Sequence, residues 1–445
     1  CNVNLGGAVI VDVGSQPGQP QLAGLGNPVY AHDVYARANR LYTSEILLGQ
    51  FGVYDVSDKS AVQLLATQQT PFAFTHNAWL SDDGSVLFTT DEKPNAFTAA
   101  YDISNLDDIR LLDAYRPLRT EGSGVIPHNV HVRNDFLVIS HYTDGLLLVD
   151  AARPANLIEV GHYDTQEQFS SGFHGAWGAY PFLPSGLVLV SDIEGGLFVL
   201  RPTYQRACYL EGKVTNAETG APEPDVLVEI LSADLNRATS KSDGAYRTGQ
   251  LSPGTFEVRF RKTGFFDKIA TATLQTGQVT PLDVALEPLP EFTIRGRVMN
   301  ALTYEGLFGI TVRAENSELS FTTQTDGDGF FELPVVQGTY DVFVGAWGWS
   351  NGALEFLKIE SDRNLDFALQ PGYFDDFNLD LGWTVSGDAK DGAWERGIPN
   401  GTVALIGNDV VIANPSEDSP DPGRYCFVTG NSGTLSNDDD VDEGR

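Results

Sequence analysis

A short apolar run closed by aspartate returns four times in the N-terminal half: Ala8-Val9-Ile10-Val11-Asp12, Gly52-Val53-Tyr54-Asp55, Ala99-Ala100-Tyr101-Asp102 and Leu147-Leu148-Val149-Asp150. The aspartates lie 43, 47 and 48 residues apart, and a further run, Gly196-Leu197-Phe198-Val199-Leu200, follows without the acid. Turn residues come next, as in Val56-Ser57-Asp58 and Ile103-Ser104-Asn105. A period of about 40–50 residues that holds several short strands is the mark of a β-propeller blade. The spacing predicts four blades and the tail of one before them. A four-bladed propeller is rare, so the propeller is expected to be partial, with upstream blades missing. Histidine keeps the same beat: His32, His76, His128 and His174 are 44, 52 and 46 residues apart.

Composition agrees with an all-β chain of several domains. The 445 residues suit two to four domains. Gly 46, Pro 23 and 11% aromatics suit tight turns between strands, and no long stretch has helical spacing. With 60 Asp+Glu against 28 Lys+Arg the net charge is −32. That argues against nucleic acid as a partner, because neutralising phosphates takes lysine and arginine, and equally against an anionic membrane surface. It favours attraction of cations. No apolar run approaches the roughly 18–20 residues of a membrane span. Cys1, Cys208 and Cys426 are odd in number and far apart, so they form neither a disulfide framework nor a CxxC metal pair. Cys1 reads as the start of a fragment or, alternatively, as a lipidated cysteine, although the strand that follows almost at once leaves little polar tether. The acidic end Asp438–Glu443 closes no strand, so both ends read as cut.

Residues 209–288 and 293–371 form an internal pair. Gly212-Lys213-Val214 and Gly296-Arg297-Val298 lie 84 residues apart; Asp243-Gly244 and Asp328-Gly329 each precede an aromatic strand; Gly254-Thr255-Phe256 answers Gly338-Thr339-Tyr340. Asp-Gly between alternating apolar runs is a hairpin signal, and some 80 residues with about seven strands make a small sandwich. These segments resemble carboxypeptidase-regulatory-like, transthyretin-like modules, which the resemblance implies are non-catalytic spacers or docking surfaces. Residues 373–445, with Trp383, Trp394-Glu395-Arg396-Gly397 and Tyr425-Cys426-Phe427-Val428, resemble the opening of a jelly roll. The expected division is a propeller over 1–205, sandwiches over 206–290 and 291–371, and a partial jelly roll over 372–445.

The strand ends match the Leu-Val-Ile-Val-Asp type of propeller repeat. Together with His32-Asp33-Val34-Tyr35, Thr75-His76-Asn77-Ala78-Trp79-Leu80, Phe88-Thr89-Thr90-Asp91-Glu92, Pro127-His128-Asn129-Val130-His131-Val132 and Gly178-Ala179-Tyr180-Pro181-Phe182, they resemble the choice-of-anchor B family of secreted bacterial proteins. The resemblance covers about residues 1–205. It implies secretion and cell-surface or extracellular residence, often by way of a C-terminal sorting domain of the type IX route. It implies no settled activity.

All seven histidines lie before residue 205. In a propeller the innermost strand of each blade lines a channel, so His32, His76, His128 and His174 are expected to form an arc there. The next strands add Glu45, Asp91, Glu92, His141 and Asp192. Imidazoles with carboxylates are a ligand set for zinc, manganese, iron or copper. Such a metal would activate water or stabilise an enolate during polysaccharide cleavage. The competing readings are that the histidines hydrogen-bond neighbouring blades, or that they do acid–base work without metal. His131 and His162 break the beat and read as packing or surface residues. Asp438–Glu443 and Asp326-Gly327-Asp328-Gly329 are candidate calcium loops, with a solvated loop and a plain hairpin turn as the competing readings. Trp347 and Trp349 are candidate sugar platforms or core. No serine nucleophile elbow, phosphate loop or HExxH is found. The function expected is extracellular or surface binding, adhesion or assembly, with a polysaccharide or surface-protein ligand. The alternatives are a metal-dependent polysaccharide lyase or hydrolase and a structural filament component.

Overall fold

The structure, a computed structural model, describes residues 6–26, 28–388, 392–406 and 409–431. It is all-β, with one short 3-10 turn at Ile46–Leu48 among the named elements. It divides into two compact units, one comprising Cys1–Lys262 with Phe266–Glu287 and the other Thr263–Phe265 with Pro288–Arg445. No helix among the described residues is long and apolar enough to cross a membrane.

The first unit opens with a ribbon of β1 (Val9–Asp12) and β2 (Gln21–Leu25). Three four-stranded meanders follow in chain order: β3 (Asp33–Arg37), β4 (Arg40–Glu45), β5 (Gln50–Asp55), β6 (Gln63–Gln69); then β7 (Thr75–Leu80), β8 (Val86–Asp91), β9 (Thr98–Asp102), β10 (Arg110–Tyr115); then β11 (Asn129–Arg133), β12 (Phe136–Ser140), β13 (Leu146–Asp150), β14 (Ile158–Tyr163). A three-stranded sheet, β15 (Ala176–Tyr180), β16 (Val188–Asp192), β17 (Gly196–Leu200), comes last. Strand β7 lies against β3 and β4 on one side and β11 on the other, and β11 lies against β15.

These sheets stack face to face, and the period of two in a strand explains their sequences. In β12, Leu137 and Ile139 join a core with Val86, Phe88 and Val130, whereas Phe136 and Val138 join the next core with Ala176, Val188 and Val190. In β8 and β9, Leu87, Ala99 and Tyr101 face Phe51 and Val53 instead. Both faces of the middle sheets are therefore buried, and their strands read as continuous apolar runs rather than as alternation. The aspartate that closes β5, β9 and β13 makes the turn. Asp55 Oδ1 accepts the Ser57 amide (2.7 Å), Asp102 Oδ1 the Ser104 amide (3.0 Å), and Asp150 Oδ1 the Ala152 amide (3.1 Å). A side chain that bonds the backbone two residues on is an Asx turn, so the repeat that marks the sequence is a turn device.

The sandwich that completes the first unit has β18 (Cys208–Asn216) between β21 (Ala245–Gln250) and the parallel β24 (Val279–Pro281) and β25 (Val284–Leu286). Its other sheet runs in the order β20 (Ala238–Thr239), β19 (Leu227–Ile230), β22 (Gly254–Arg261), β23 (Lys268–Leu274). The second unit repeats this order: β26 (Glu291–Asn300) pairs with β29 (Phe330–Val336), β32 (Arg363–Asn364) and β33 (Phe367–Leu369), and the sheet β28 (Ser320–Gln324), β27 (Thr311–Glu315), β30 (Gly338–Gly345), β31 (Gly352–Ile359) covers it. Ile294, Val298, Val312, Phe331, Tyr340 and Val342 fill the core between the two sheets. Beyond it are two ribbons, β34 (Trp394–Gly397) with β37 (Cys426–Thr429), and β35 (Thr402–Ile406) with β36 (Asp409–Asn414).

Candidate metal centre

The registers of the four stacked sheets show which residues are equivalent. Asp33 pairs with Ser44, Asn77 with Thr90, Asn129 with Ser140, and Gly178 with Ser191. The residue before each of these first partners is His32, His76, His128 and Trp177. Their rings stand side by side: His32 and His76 have centroids 4.4 Å apart, His76 and His128 4.4 Å, and His128 and Trp177 5.2 Å. The fourth place in the row thus belongs to Trp177. His174 stands outside it, stacked on Phe169 and paired with Glu194 (Nδ1–Oε1 2.6 Å), because the loop from Phe169 to Gly175 carries it three residues short of the strand register.

The residue after Ser44, Thr90, Ser140 and Ser191 is Glu45, Asp91, His141 and Asp192. All four serve their own loops and do not converge. Glu45 accepts from Thr43 (3.0 Å), Gln50 (2.7 Å) and Tyr54 (2.7 Å). Asp91 caps the loop before β7, accepting from Thr70 Oγ1 (2.5 Å) and the amides of Phe72 (2.9 Å) and Phe74 (3.1 Å). Its burial raises its pKa against these bonds. Asp192 accepts the amides of Glu194 (3.0 Å) and Gly195 (2.6 Å). His141 is fully enclosed beside Asp144 (3.3 Å), and burial pushes its pKa down to about 3.

One place further on, the side chains do converge. Glu92 lies with Oε2 3.7 Å from His76 Nε2 and Oε1 3.6 Å from His128 Nε2. One ligand atom from each of His76, Glu92 and His128 falls within 4.8 Å of the others. The equivalent of Glu92 in the next sheet is Tyr142, whose hydroxyl donates to Glu92 Oε1 at 2.6 Å. Tyr142 is held at φ +36 in the turn after β12, where its carbonyl accepts from Gly145 (2.9 Å) and its amide bridges to Ala176 (3.1 Å). Burial and the neighbouring carboxylate raise its pKa, so it stays a phenol and a donor. His76 and His128 are both buried. Burial lowers the His76 pKa and brings that of His128 down to about 3, so both rings are neutral at neutral pH and each keeps a lone pair.

Of the nine residues expected from sequence to share a site, the structure gathers His76, Glu92 and His128, sets His32 beside them, and sends Glu45, Asp91, His141, His174 and Asp192 elsewhere. Tyr142 and Trp177 are the members that sequence reasoning missed. Aligning the sheets on Ser44, Thr90 and Ser140 finds Tyr142, whereas Trp177 is placed by the shifted register of β15 with β16. His131 packs against Trp79 (4.7 Å) and Phe182, and His162 pairs with Glu159 (3.2 Å) at the surface. Asp326 Oδ1 accepts the amides of Asp328 (3.0 Å) and Phe330 (2.8 Å), so it builds its hairpin turn. Asp438–Glu443 and Cys1 lie outside the described residues. Cys208 and Cys426 are free thiols. Trp349 packs on the second sandwich core, whereas Trp347 is exposed, stacked on Tyr373 (5.3 Å, 16°) and near Trp383 (5.6 Å).

Residues 209–287 match the carboxypeptidase regulatory-like domain family, and residues 127–165 match the LVIVD repeat. Bacillopeptidase F of Bacillus subtilis (strain 168) is 25% identical over 228 residues, which is 46% of this chain and 15% of that protein, so the chain spans a small part of that relative's length. Among solved structures, a streptococcal ancillary pilin aligns over 62% of this chain and 81% of its own, at 11% identity and a TM-score of 0.28. The Bacillus anthracis TIE protein aligns over 55% of this chain and 51% of its own, at 11% identity and a TM-score of 0.23. The chain is thus one that contains an LVIVD repeat and a carboxypeptidase regulatory-like domain.

Proposed function

We propose that this is an extracellular or cell-surface binding, adhesion or assembly protein of the choice-of-anchor B type. In this reading the sheets β3–β17 are blades of a partial β-propeller head. The two sandwiches are tandem carboxypeptidase-regulatory-like spacers, and residues 372–445 open a jelly roll. The observation that carries the reading is the repetition of one strand order in two successive sandwiches, each with a buried core and no histidine, placed after a stack of sheets that meander outward from neighbouring first strands. Repeated modules of this kind hold a head at a distance rather than perform chemistry. The ligand is a polysaccharide or a surface protein, and the exposed ring group Trp347, Tyr373 and Trp383 is the place where a sugar face would stack.

The test uses the full chain. Binding to immobilised surface polysaccharides is measured beside sedimentation velocity over a 100-fold range of concentration. Saturable binding weakened about tenfold by Trp347→Ala, or reversible concentration-dependent assembly, supports the reading. A monomer that binds no surface fraction overturns it. A second reading, a metal-dependent polysaccharide lyase or hydrolase, rests on the convergence of His76, Glu92 and His128. Release of new reducing ends by the metal-loaded protein, lost in His76→Ala, would favour it.

A further inference from the structure

The half-buried carboxylate of Glu92 faces two buried imidazoles. Among the described residues neither lysine nor arginine reaches it; its ion-pair neighbours are His76 and His128, and its hydrogen-bond donor is Tyr142. The His76 tautomer follows from its other contact. Nδ1 lies 3.2 Å from the His128 carbonyl oxygen, which can only accept, so Nδ1 carries the proton and Nε2 turns a lone pair toward Glu92. The Thr90 hydroxyl donates to the same carbonyl at 2.5 Å and fixes it. On His128, Nδ1 is buried without a hydrogen-bond partner among the described residues, and it is Nε2 that faces Glu92. The 3.6 and 3.7 Å separations are too long for hydrogen bonds. They are close to the distance between two ligands on one ion when each bond is about 2.0–2.1 Å.

We propose that His76 Nε2, His128 Nε2 and the Glu92 carboxylate bind one divalent transition-metal ion of the zinc type, with a coordination position left open to water or a small ligand. Tyr142 is the positioning residue: its hydroxyl holds Glu92 from outside, as outer-shell donors hold carboxylate ligands. Two nitrogen ligands and one carboxylate suit zinc, and oxygen-only ions such as calcium and magnesium are disfavoured. His32 lies beside His76, with ring centroids 4.4 Å apart and planes tilted by 48°. The site stands whether the chain binds, assembles or catalyses.

The test is titration of chelator-stripped full-length protein with zinc, and separately with cobalt, in excess magnesium to occupy the many surface carboxylates. The expected result is one equivalent bound, with the visible absorption of four- or five-coordinate cobalt. Glu92→Gln and His128→Ala should each weaken binding at least 100-fold, Tyr142→Phe about 10- to 100-fold, and His174→Ala not at all. Glu92→Gln keeps the shape of the side chain, and circular dichroism confirms its fold. Should the variants fail to fold, X-ray absorption of the zinc-loaded wild type still decides, with two imidazole nitrogens and one or two oxygens at about 2.0–2.1 Å expected. Stoichiometric binding that persists in Glu92→Gln and His128→Ala, an oxygen-only shell, or no binding above the magnesium background overturns the proposal.

Discussion

Asp150 carries more than its turn. It is fully buried, and besides the Ala152 amide it accepts from Arg206 at 2.6 Å and from the Ala207 amide at 2.8 Å. It therefore ties the third sheet to the chain that leads into β18. Removing one partner of a buried pair leaves the other uncompensated, so Asp150→Ala is expected to cost about 3 kcal/mol by denaturant unfolding. Asp55, which is partly exposed and accepts the Ser57 amide, should be far less sensitive. His131 gives a separate expectation for pH. Burial lowers its pKa from 6.5 to about 4, with Asp33 opposing. The unfolded chain then takes up a proton that the folded one refuses, so this contribution to stability is intact above about pH 6.5 and is lost as pH falls toward about 4. The slope is up to about 1.4 kcal/mol per pH unit for one such group. His131→Phe, which keeps the packing on Trp79 and Phe182, should flatten the stability–pH curve over that window by one proton's worth. An unchanged slope would mean that His131 is already free to titrate.

At the scale of elements, the turn between β12 and β13 decides whether Tyr142 reaches Glu92. Gly145 sits at φ +76, and a Cβ there would come within 2.1 Å of the Tyr163 carbonyl. Both the backbone conformation and the space call for glycine. Gly145→Ala is expected to destabilise by about 2 kcal/mol or more and to weaken zinc binding along with it, since the Gly145 amide anchors the Tyr142 carbonyl. Thermal melts and a zinc titration on the same sample check both. Gly186, in the turn between β15 and β16 and also at positive φ, has open space around its Cβ position. Alanine there should cost less, which separates backbone strain from steric collision.

At the scale of the whole molecule, the two compact units have separate cores and should unfold separately, because cooperativity follows shared buried surface. Calorimetry is expected to resolve at least two transitions. His76, Glu92 and His128 all belong to the first unit, so saturating zinc should raise only that unit's transition. At a hundred times the dissociation constant the stabilisation is about 2.7 kcal/mol. A single transition that moves as a whole with zinc would show that the units unfold as one.

How much of this was legible in the chain depends on range. Strand class, turn sites and the periodic aspartate are local: apolar runs bounded by Gly, Asp and Asn fix them, and the Asx turn closes within two residues of Asp55 or Asp102. The 84-residue echo from Gly212 to Gly296 likewise announced two sandwiches of one strand order. The beat of the histidines holds for His32, His76 and His128, which stand at one register position in three successive sheets, each one residue before the partner of Ser44, Thr90 or Ser140. It misled at His174, since the register of β15 with β16 puts Trp177 in that place. The carboxylates were harder still. Glu45, Asp91 and Asp192 and their neighbours Ile46, Glu92 and Ile193 differ by one residue, and one residue along a strand end turns a side chain from its own loop to the neighbouring sheet. That choice is made by pairing partners about 50 residues away, such as Tyr142 with Glu92, and only the folded chain brings them together.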